Sequence, residues 1–241
     1  MKSLIRILLI VGVLSAAYFF YKKKHPDFTY AGTLEAETVD LSPGVASPIS
    51  TVLVKEGQVV KEGQVIVQLA CPDVRVAVGQ AASDLARNQR LFDAGSLAAA
   101  NFDHSRYANR DAQVKLSYCD VAAPISGTVV TIYRRVGEWA RPGQNLLTLA
   151  DLRSLYAWIY VPQAMLAKLK VGQPIEGLIP DLGTKAFPGT IEYIRPEAEF
   201  TPKNVQTRDE RERLVYGVKV RFNNPEGDLK MGQPIEAKMP E

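Results

Sequence analysis

Two stretches of the chain repeat one pattern of apolar and polar positions. Residues 44–70 (GVASPISTVLVKEGQVVKEGQVIVQLA) and residues 124–150 (PISGTVVTIYRRVGEWARPGQNLLTLA) align without a gap at an offset of 80 residues. Each copy predicts a strand, a turn, a short connector, a second turn and a strand, with glycine at both corners because it adopts positive φ without a clash. These turn glycines are Gly57, Gly63, Gly137 and Gly143. Because such short strands bury an apolar face only by packing together, the copies should form one sandwich.

The stretch between the two copies, residues 71–120, has a helical pattern instead. It is rich in Ala, Leu, Arg and Gln, which are good helix formers, and Val74, Val78 and Ala81 recur at helical spacing. Residues 93–96 (DAGS) predict a compact turn in its middle. We therefore expect an antiparallel α-helical hairpin, with each helix about 30 Å long.

The remaining sequence predicts further β-structure. Residues 29–41 alternate partly and predict one or two strands, and residues 151–241 contain short apolar runs separated by Gly, Pro and Asn. Such runs predict a β-barrel, with one short helix at residues 163–169. The predicted fold class is mainly β, with a helical hairpin that splits the sandwich and a barrel that follows it.

An apolar segment precedes these elements. Residues 4–21 are apolar except for Arg6 and Ser15, and 18 helical residues cover roughly 27 Å, close to the hydrocarbon thickness of a bilayer. An aromatic run at residues 18–21 suits a membrane interface, so we favour an uncleaved transmembrane anchor over a cleaved signal peptide. The lysines at positions 22–24, taken alone, would favour a cytoplasmic body under the positive-inside rule.

Composition excludes several classes of function. The 29 Lys and Arg residues nearly balance the 26 Asp and Glu residues, so nothing suggests a nucleic-acid partner. The two histidines, His25 and His104, lack neighbours at ligand spacing, and no metal is expected. No phosphate-binding loop or nucleophile elbow is present, so we expect no enzyme. The junction between the copies carries no lysine for a biotinyl or lipoyl group, so no cofactor is expected.

The arrangement of two half-motifs around a hairpin, followed by a barrel, resembles the periplasmic adaptor or membrane fusion protein family, the HlyD-like secretion proteins. Residues 53–69 and 121–152 are similar to the halves of its lipoyl-like domain, and residues 199–234 resemble the end of the barrel in adaptors of ABC-type exporters. The domains implied are a membrane anchor and linker (1–28), the first strands and first half of the lipoyl-like domain (29–70), the α-helical hairpin (71–120), its second half (121–150) and the β-barrel domain (151–241).

The resemblance also implies a function. Members of this family lie in the periplasm on a single inner-membrane anchor and link a transporter to a TolC-like outer-membrane channel, usually as a ring of six. We therefore expect a periplasmic body despite the lysines. An ABC-type transporter is favoured over an RND pump, since adaptors of RND pumps continue into a further β-domain and this sequence ends at Glu241. The alternative is a membrane-tethered assembly or regulatory factor without an outer-membrane partner.

The family's hairpin tip carries a motif for the outer-membrane channel: Arg, Leu four residues later and Ser seven residues after that. Arg87 and Leu91 fit this spacing, but position 98 is Ala98, and Ser96 lies two residues away. The hairpin is also short for the family, which leaves open whether it reaches the channel. The alternative is an ordinary amphipathic helix end.

The two cysteines, Cys71 and Cys119, lie at the predicted feet of the hairpin. Antiparallel helices would make the feet neighbours, and an oxidising compartment permits a disulfide. A bridge requires Cα atoms within about 7 Å, which a sequence does not determine. A disulfide and two separate buried thiols both remain open.

Overall fold

A computed structural model describes residues 29–183, 185–200 and 214–239, so the predicted anchor at residues 1–28 lies outside the described part. Within these ranges no helix combines the length and apolar character that a membrane span requires. The described chain divides into two units, one of residues Glu37–Leu152 and one that joins residues 29–36 to residues 153–239. Each unit is described by itself below.

The unit Glu37–Leu152 contains the interlocked repeat and both long helices. Its strands are the end of β1 (Thr29–Leu41), β2 (Ser47–Val52), β3 (Val59–Val60), β4 (Val65–Leu69), β5 (Asp120–Ala122), β6 (Gly127–Ile132), β7 (Trp139–Ala140) and the start of β8 (Leu147–Pro162). Its helices are α1 (Pro72–Asp93) and α2 (Ala99–Ser117), and we call them together the helical pair.

The two copies of the repeat exchange strands. β2 of the first copy pairs with β7 of the second, and β3 of the first pairs with β6 of the second. The turns follow the same symmetry: the Gly57 N–H donates to the Val129 carbonyl (2.8 Å), and the Gly137 N–H donates to the Ile49 carbonyl (2.9 Å). Both acceptors are buried, at 0% and 2% exposure. The copies are therefore two halves of one sandwich related by a local pseudo-twofold axis.

The helical pair is antiparallel. Phe92 stacks on Phe102 beside the connecting turn, with ring centroids 4.9 Å apart, while Cys71 and Cys119 meet at the opposite end. The helices contain 22 and 19 residues, which correspond to about 33 and 28 Å of helix. α1, which is described in full, has no buried residue, and α2 has two, Ser105 and Ala112. The pair is thus a thin arm with little core of its own.

The other unit is a closed barrel. Its elements are the start of β1, the end of β8, α3 (Gln163–Leu166), β9 (Pro174–Leu178), a 3-10 turn (Pro180–Leu182), β10 (Ala186–Ile194), β11 (Glu199–Phe200), β12 (Leu214–Asn223) and β13 (Pro234–Lys238). Hydrogen bonds connect six of these strands in the cycle β1, β8, β12, β10, β9, β13 and back to β1. The mainly β class with barrel-like sheets, predicted from the sequence, is confirmed.

The barrel also contains an internal repeat. Residues 170–175 (KVGQPI) and 230–235 (KMGQPI) enter β9 and β13, which pair with each other. The Gly172 N–H donates to Ile191 of β10, and the Gly232 N–H donates to Leu34 of β1, both at 2.8 Å. The sequence GTLE at 32–35 in β1 likewise corresponds to GTIE at 189–192 in β10. The barrel is therefore built from two similar halves as well.

The first residues of β1 belong to this barrel and not to the sandwich. Thr29–Thr33 pair in register with Lys238–Pro234 of β13, at the far end of the sequence. The sequence-based division grouped residues 29–36, as part of the first strands, with the first half of the lipoyl-like domain. It differs from the structure because pairing between strands about 200 residues apart leaves no local signal.

Candidate docking site

The turn at the end of the helical pair is closed by a Schellman motif. Gly95 has φ 72°, its N–H donates to the Phe92 carbonyl (2.9 Å), and the Ser96 N–H donates to the Leu91 carbonyl (2.8 Å). These two bonds satisfy carbonyls that a helix end otherwise leaves unpaired, and glycine suits the left-handed position. The sequence DAGS therefore forms the compact turn expected of it, and it fixes the end of α1.

Two of the sequence-predicted docking residues lie on the last turns of α1 and are open to solvent. The Arg87 side chain is 63% exposed, and its Nη2 lies 2.6 Å from Oδ1 of Asp84. Leu91 is 42% exposed, and residues four apart share one helix face. An exposed ion pair of this kind contributes little to stability, so the guanidinium can exchange Asp84 for a partner's acceptor at small cost.

The other two predicted docking residues lie across the turn. Ser96 is exposed within the turn, and Ala98 is the N-cap residue of α2, with extended φ −65° and ψ 143°. Its carbonyl accepts from the Asn101 N–H at 3.0 Å, as an N-cap carbonyl does. Serine at this position would add a side-chain acceptor for the first turn of α2, which alanine does not have. The structure thus brings all four residues to one end of the arm, while Ser96 does not occupy the cap.

Sequence reasoning missed the aromatic pair at the same end. Phe92 is 37% exposed and stacks nearly parallel on Phe102, with an interplanar angle of 12°. Such aromatic pairs contribute about 0.5–1.5 kcal/mol beyond the area they bury. The signal was present, because an aromatic residue lies on each side of the turn in FDAGSLAAANF (92–102). The stacked rings give the tip an apolar base beside Leu91.

A disulfide joins Cys71 and Cys119 at the feet of the helical pair, with Cα atoms 6.2 Å apart. Both residues are buried, at 2% and 1% exposure. Cys71 is the N-cap of α1, and among the residues that the structure describes it alone has positive φ without being glycine (φ 46°). Its N–H donates to Oγ of Ser47 in β2 at 2.8 Å. The feet of the arm are therefore attached directly to the sandwich.

Two turns of the sandwich, at Gly57 and Gly63, share a side-chain hydrogen-bond pattern with two turns of the barrel, at Gly172 and Gly232. Gly57 and Gly63 have φ of 81° and 77°, and Gly137 and Gly143 have φ of 89° and 82°. In the sequence Lys-x-Gly-Gln, the glutamine Oε1 accepts the lysine N–H three residues earlier. The donor–acceptor distances are 3.1 Å for Lys55 and Gln58, 3.0 Å for Lys61 and Gln64, 3.0 Å for Lys170 and Gln173, and 2.8 Å for Lys230 and Gln233.

The outer face of the barrel carries the main charged network. Both carboxylate oxygens of Glu192 accept from Nη2 of Arg221, at 2.7 and 2.9 Å, and Lys219 Nζ lies 3.4 Å from Oε2. The hydrogen bonds from Arg221 lower the pKa of Glu192. Lys219 also lies 4.2 Å from the Tyr156 ring centroid. These groups satisfy one another, so the network fastens β10 to β12 and is a weaker candidate for docking than the arm.

The sandwich matches a known family. Residues 37–151 match the family model described as RND MFP, barrel-sandwich hybrid domain. The UPF0194 membrane protein in the asrC 5' region of Acidithiobacillus ferridurans is 34% identical over 118 residues, which are 49% of this chain and 35% of that protein. The UPF0194 membrane protein YbhG of Salmonella newport (strain SL254) is 24% identical over 310 aligned positions, covering 95% of this chain and 94% of that protein.

Solved structures share the fold. The MacA-MexA chimeric protein that contains the Pseudomonas aeruginosa MexA α-hairpin domain has a TM-score of 0.72 at 21% identity, covering 88% of this chain and 81% of that one. The membrane fusion protein Spr0693 from Streptococcus pneumoniae R6 has a TM-score of 0.63 at 24% identity, covering 89% and 99%. At these identities the likeness concerns the fold.

A sandwich split by a helical arm, followed by a barrel, is thus the fold that the chain shares with these solved structures. By this match, residues 37–151 belong to the membrane fusion protein family, which is not typically enzymatic, as its barrel-sandwich hybrid domain. This family has a general role in efflux systems and works with transporters and outer-membrane channels.

Proposed function

We propose that the protein is the periplasmic adaptor subunit of an export system and links an inner-membrane transporter to a TolC-like outer-membrane channel. The observation that carries this proposal is the helical pair, which leaves the sandwich at the junction of its two halves and ends in the exposed residues Arg87 and Leu91. An exposed guanidinium beside an apolar side chain suits a carbonyl-rich and partly apolar acceptor surface.

The proposed mechanism is geometric. Residues 1–28 anchor the chain in the inner membrane, the body lies in the periplasm, and six copies stand side by side so that their arms surround a conduit. Arg87 and Leu91 then meet the channel, with the stacked pair Phe92 and Phe102 as a firm base for both. Because the tip turn is fixed by its own hydrogen bonds, little conformational entropy is lost when it docks.

The proposed transporter is of the ABC type. Support comes from residues 199–234, whose sequence resembles the barrel end of adaptors that serve such exporters. The family description of residues 37–151 names RND systems, so an RND pump is the competing partner. Crosslinking in intact cells followed by mass spectrometry distinguishes the two: recovery of an ATPase with its permease supports the proposal, and recovery of a single large pump protein contradicts it.

The docking role is tested by the variant Arg87→Ala. We expect at least a tenfold loss of channel co-purification, because the charge-assisted hydrogen bonds to the channel are lost. The matched control is Arg110→Ala, an exposed arginine on α2 outside the tip. Equal channel recovery from both variants would rule out the tip as the contact.

The periplasmic placement is tested with Ser96→Cys at the exposed turn. The natural cysteines are bridged and buried, so this variant gains one reactive thiol while the unmodified protein serves as the blank. We expect a membrane-impermeant maleimide to label the variant in cells with a permeabilised outer membrane and an intact inner membrane. Labelling that appears only after the inner membrane is lysed would place the body in the cytoplasm and contradict the adaptor role.

One observation favours a second candidate, a membrane-tethered assembly or regulatory factor without a channel partner. Ala98 stands where the family's motif has serine, and the helices are only 22 and 19 residues long. In that case Arg87→Ala leaves export unchanged, whereas removal of the whole protein lowers the amount of assembled transporter.

A further inference from the structure

The disulfide at the feet of the helical pair lies inside the sandwich core. Cys71 and Cys119 are 2% and 1% exposed, and they belong to the same buried cluster as Ile49, Leu69 and Leu146. Thiol–disulfide exchange requires a thiolate to approach a sulfur atom directly. The folded sandwich excludes such an approach, so this bridge is closed to exchange once the core has formed.

The arm depends strongly on this attachment. The ion pairs along it, Asp84 with Arg87, Asp103 with Arg106 and Asp111 with Lys115, have side chains that are 44–64% exposed. Exposed pairs of this kind stabilise a helix only slightly, and α1 has no buried residue. The feet are held by the bridge, by Val74 and Leu116, which pack against the sandwich cluster, and by two adjacent hydrogen bonds. These bonds run from the Cys71 N–H to Ser47 Oγ (2.8 Å) and from the Leu69 N–H to the Cys119 carbonyl (2.8 Å).

We propose that a disulfide-forming oxidant acts on this chain and that the Cys71–Cys119 bridge closes before the sandwich core does. Only the oxidised chain then holds the feet of the helical pair in place on the sandwich. The bridge is thus a step in assembly and not a reversible switch. The inference concerns folding and oxidation, and it stands whether or not the tip binds a channel.

The chemistry needs a disulfide-bearing oxidant. The thiolate of one cysteine attacks the oxidant's disulfide, forms a mixed disulfide and releases one oxidant thiolate. The second cysteine thiolate then attacks the cysteine sulfur of the mixed disulfide, closes the Cys71–Cys119 bond and releases the second oxidant thiolate. The chain loses two electrons and two protons, and the oxidant leaves as two thiols. The residues to be joined are 48 positions apart, so an extended chain must close this loop while its sulfurs are accessible.

The first test compares one sequence in two redox states. The full chain, unfolded in urea with dithiothreitol, is refolded either with oxidised glutathione or with reductant alone. Both samples are then treated with trypsin, whose targets in the helical pair include Arg87, Arg90, Arg106 and Arg110. We expect cleavage at these sites to be at least tenfold faster in the reduced sample. Cleavage at Lys61 and Arg135, in the turns of the sandwich, is the internal control and should change little.

The second test measures access to the bridge. The oxidised protein is treated with dithiothreitol under native conditions and in urea, and alkylated thiols are counted by mass spectrometry. We expect native reduction to be at least a hundredfold slower. Equal reduction rates would overturn the burial argument, and equal trypsin rates in the two redox states would overturn the assembly role. The variant Cys71→Ser/Cys119→Ser should reproduce the trypsin cleavage of the reduced sample. If the sandwich turns of this variant are also cleaved rapidly, the assembly role is decided by the reduced and oxidised natural chains alone.

Discussion

Single glycines with left-handed backbone conformation form the turns of the sandwich. Gly57 and Gly137 occupy equivalent turns of the two sandwich halves, with φ of 81° and 89°. A Cβ added at either position meets no atom within 4 Å, so sterics with neighbours do not require glycine there. The requirement is conformational, since L-residues other than glycine are disfavoured at positive φ. The same chemistry at both turns explains why the repeat keeps its glycines while its other residues diverge.

We expect Gly57→Ala and Gly137→Ala each to destabilise the sandwich by about 1–2 kcal/mol. The matched control is Gly79→Ala in the middle of α1, where a Cβ also meets nothing within 4 Å but the backbone is helical. This control should be neutral or stabilising by up to about 1 kcal/mol, because alanine is the better helix former. Urea unfolding followed by circular dichroism measures all three, and a similar sign for all three changes would refute the conformational explanation.

Glu192 predicts a pH dependence of the barrel. The hydrogen bonds from Arg221 lower its pKa below the ordinary value of 4.5. A carboxyl with a lowered folded-state pKa stabilises the fold above its unfolded pKa, and this contribution disappears as the pH falls through the folded value. We therefore expect Glu192→Gln to lower the urea midpoint at pH 7 and to lose less stability than the natural protein as the pH falls below 4.5. The exposed Glu62→Gln is the control, and an identical acid profile for both variants would contradict the assignment.

At the scale of elements, the two helix termini that meet at the tip turn are capped differently. α1 ends in a Schellman motif that satisfies its last carbonyls, whereas α2 begins at Ala98 without a side-chain acceptor. The start of α2 is therefore the weaker side of the tip turn, although it lies at the position that the family's motif assigns to serine. Helix stability and the proposed docking thus make separate demands on position 98.

We expect Ala98→Ser to stabilise the start of α2 by about 0.5–1 kcal/mol, because the new hydroxyl can accept an N–H of the first turn. Hydrogen exchange of residues 99–103, followed by mass spectrometry, should slow accordingly. Ala94→Ser, at the C-cap of α1, is the control, since a hydroxyl there has no unpaired N–H to accept. If both serines slow exchange equally, the capping explanation fails.

At the scale of the whole molecule, each unit is a pair of similar halves. The sandwich halves share an unbroken alignment at an offset of 80 residues, and this signal predicted their strands and turns from the sequence. The barrel halves were missed, although KVGQPI and KMGQPI are more alike than any stretch of the sandwich repeat. Their partner strands, β1 and β10, lie at different distances along the chain from β13 and β9, so no single offset aligns the halves.

The candidate site shows the same division between local and non-local information. Helix periodicity was enough to bring Arg87 and Leu91 to one face, because four residues make about one turn. The sequence spacing of Cys71 and Cys119 was not enough to predict a disulfide. The distance between them depends on the stagger of two helices and on the sandwich beneath them. The stacking of Phe92 on Phe102 also required the turn geometry, which decides which side chains face each other across it.

Gly32 and Gly189 are equivalent positions of the two barrel halves, but we expect their substitution by alanine to lower the stability of the barrel by different amounts. A Cβ at Gly32 would lie 2.6 Å from the backbone oxygen of Trp158, whereas a Cβ at Gly189 would lie 2.6 Å from the Phe222 ring. We expect both alanine variants to destabilise the barrel, by roughly 1–3 kcal/mol for overpacking. Gly32→Ala should lower the stability more, because the Phe222 ring can rotate away from a new methyl group at position 189, whereas the Trp158 carbonyl, held within the sheet, cannot move away from one at position 32. Thermal unfolding of both proteins checks this order, and the reverse order would contradict it.

The two bridged cysteines also mark the boundary between the helical pair and the sandwich. Everything between them leaves the sandwich and returns to within 6.2 Å of its departure point, measured between Cα atoms. Any antiparallel pair of helices with the same spacing at its base could therefore be grafted at positions 71 and 119 without altering the register of the sandwich strands. Arm length and tip chemistry can therefore change together, in evolution or by design, while the sandwich stays the same.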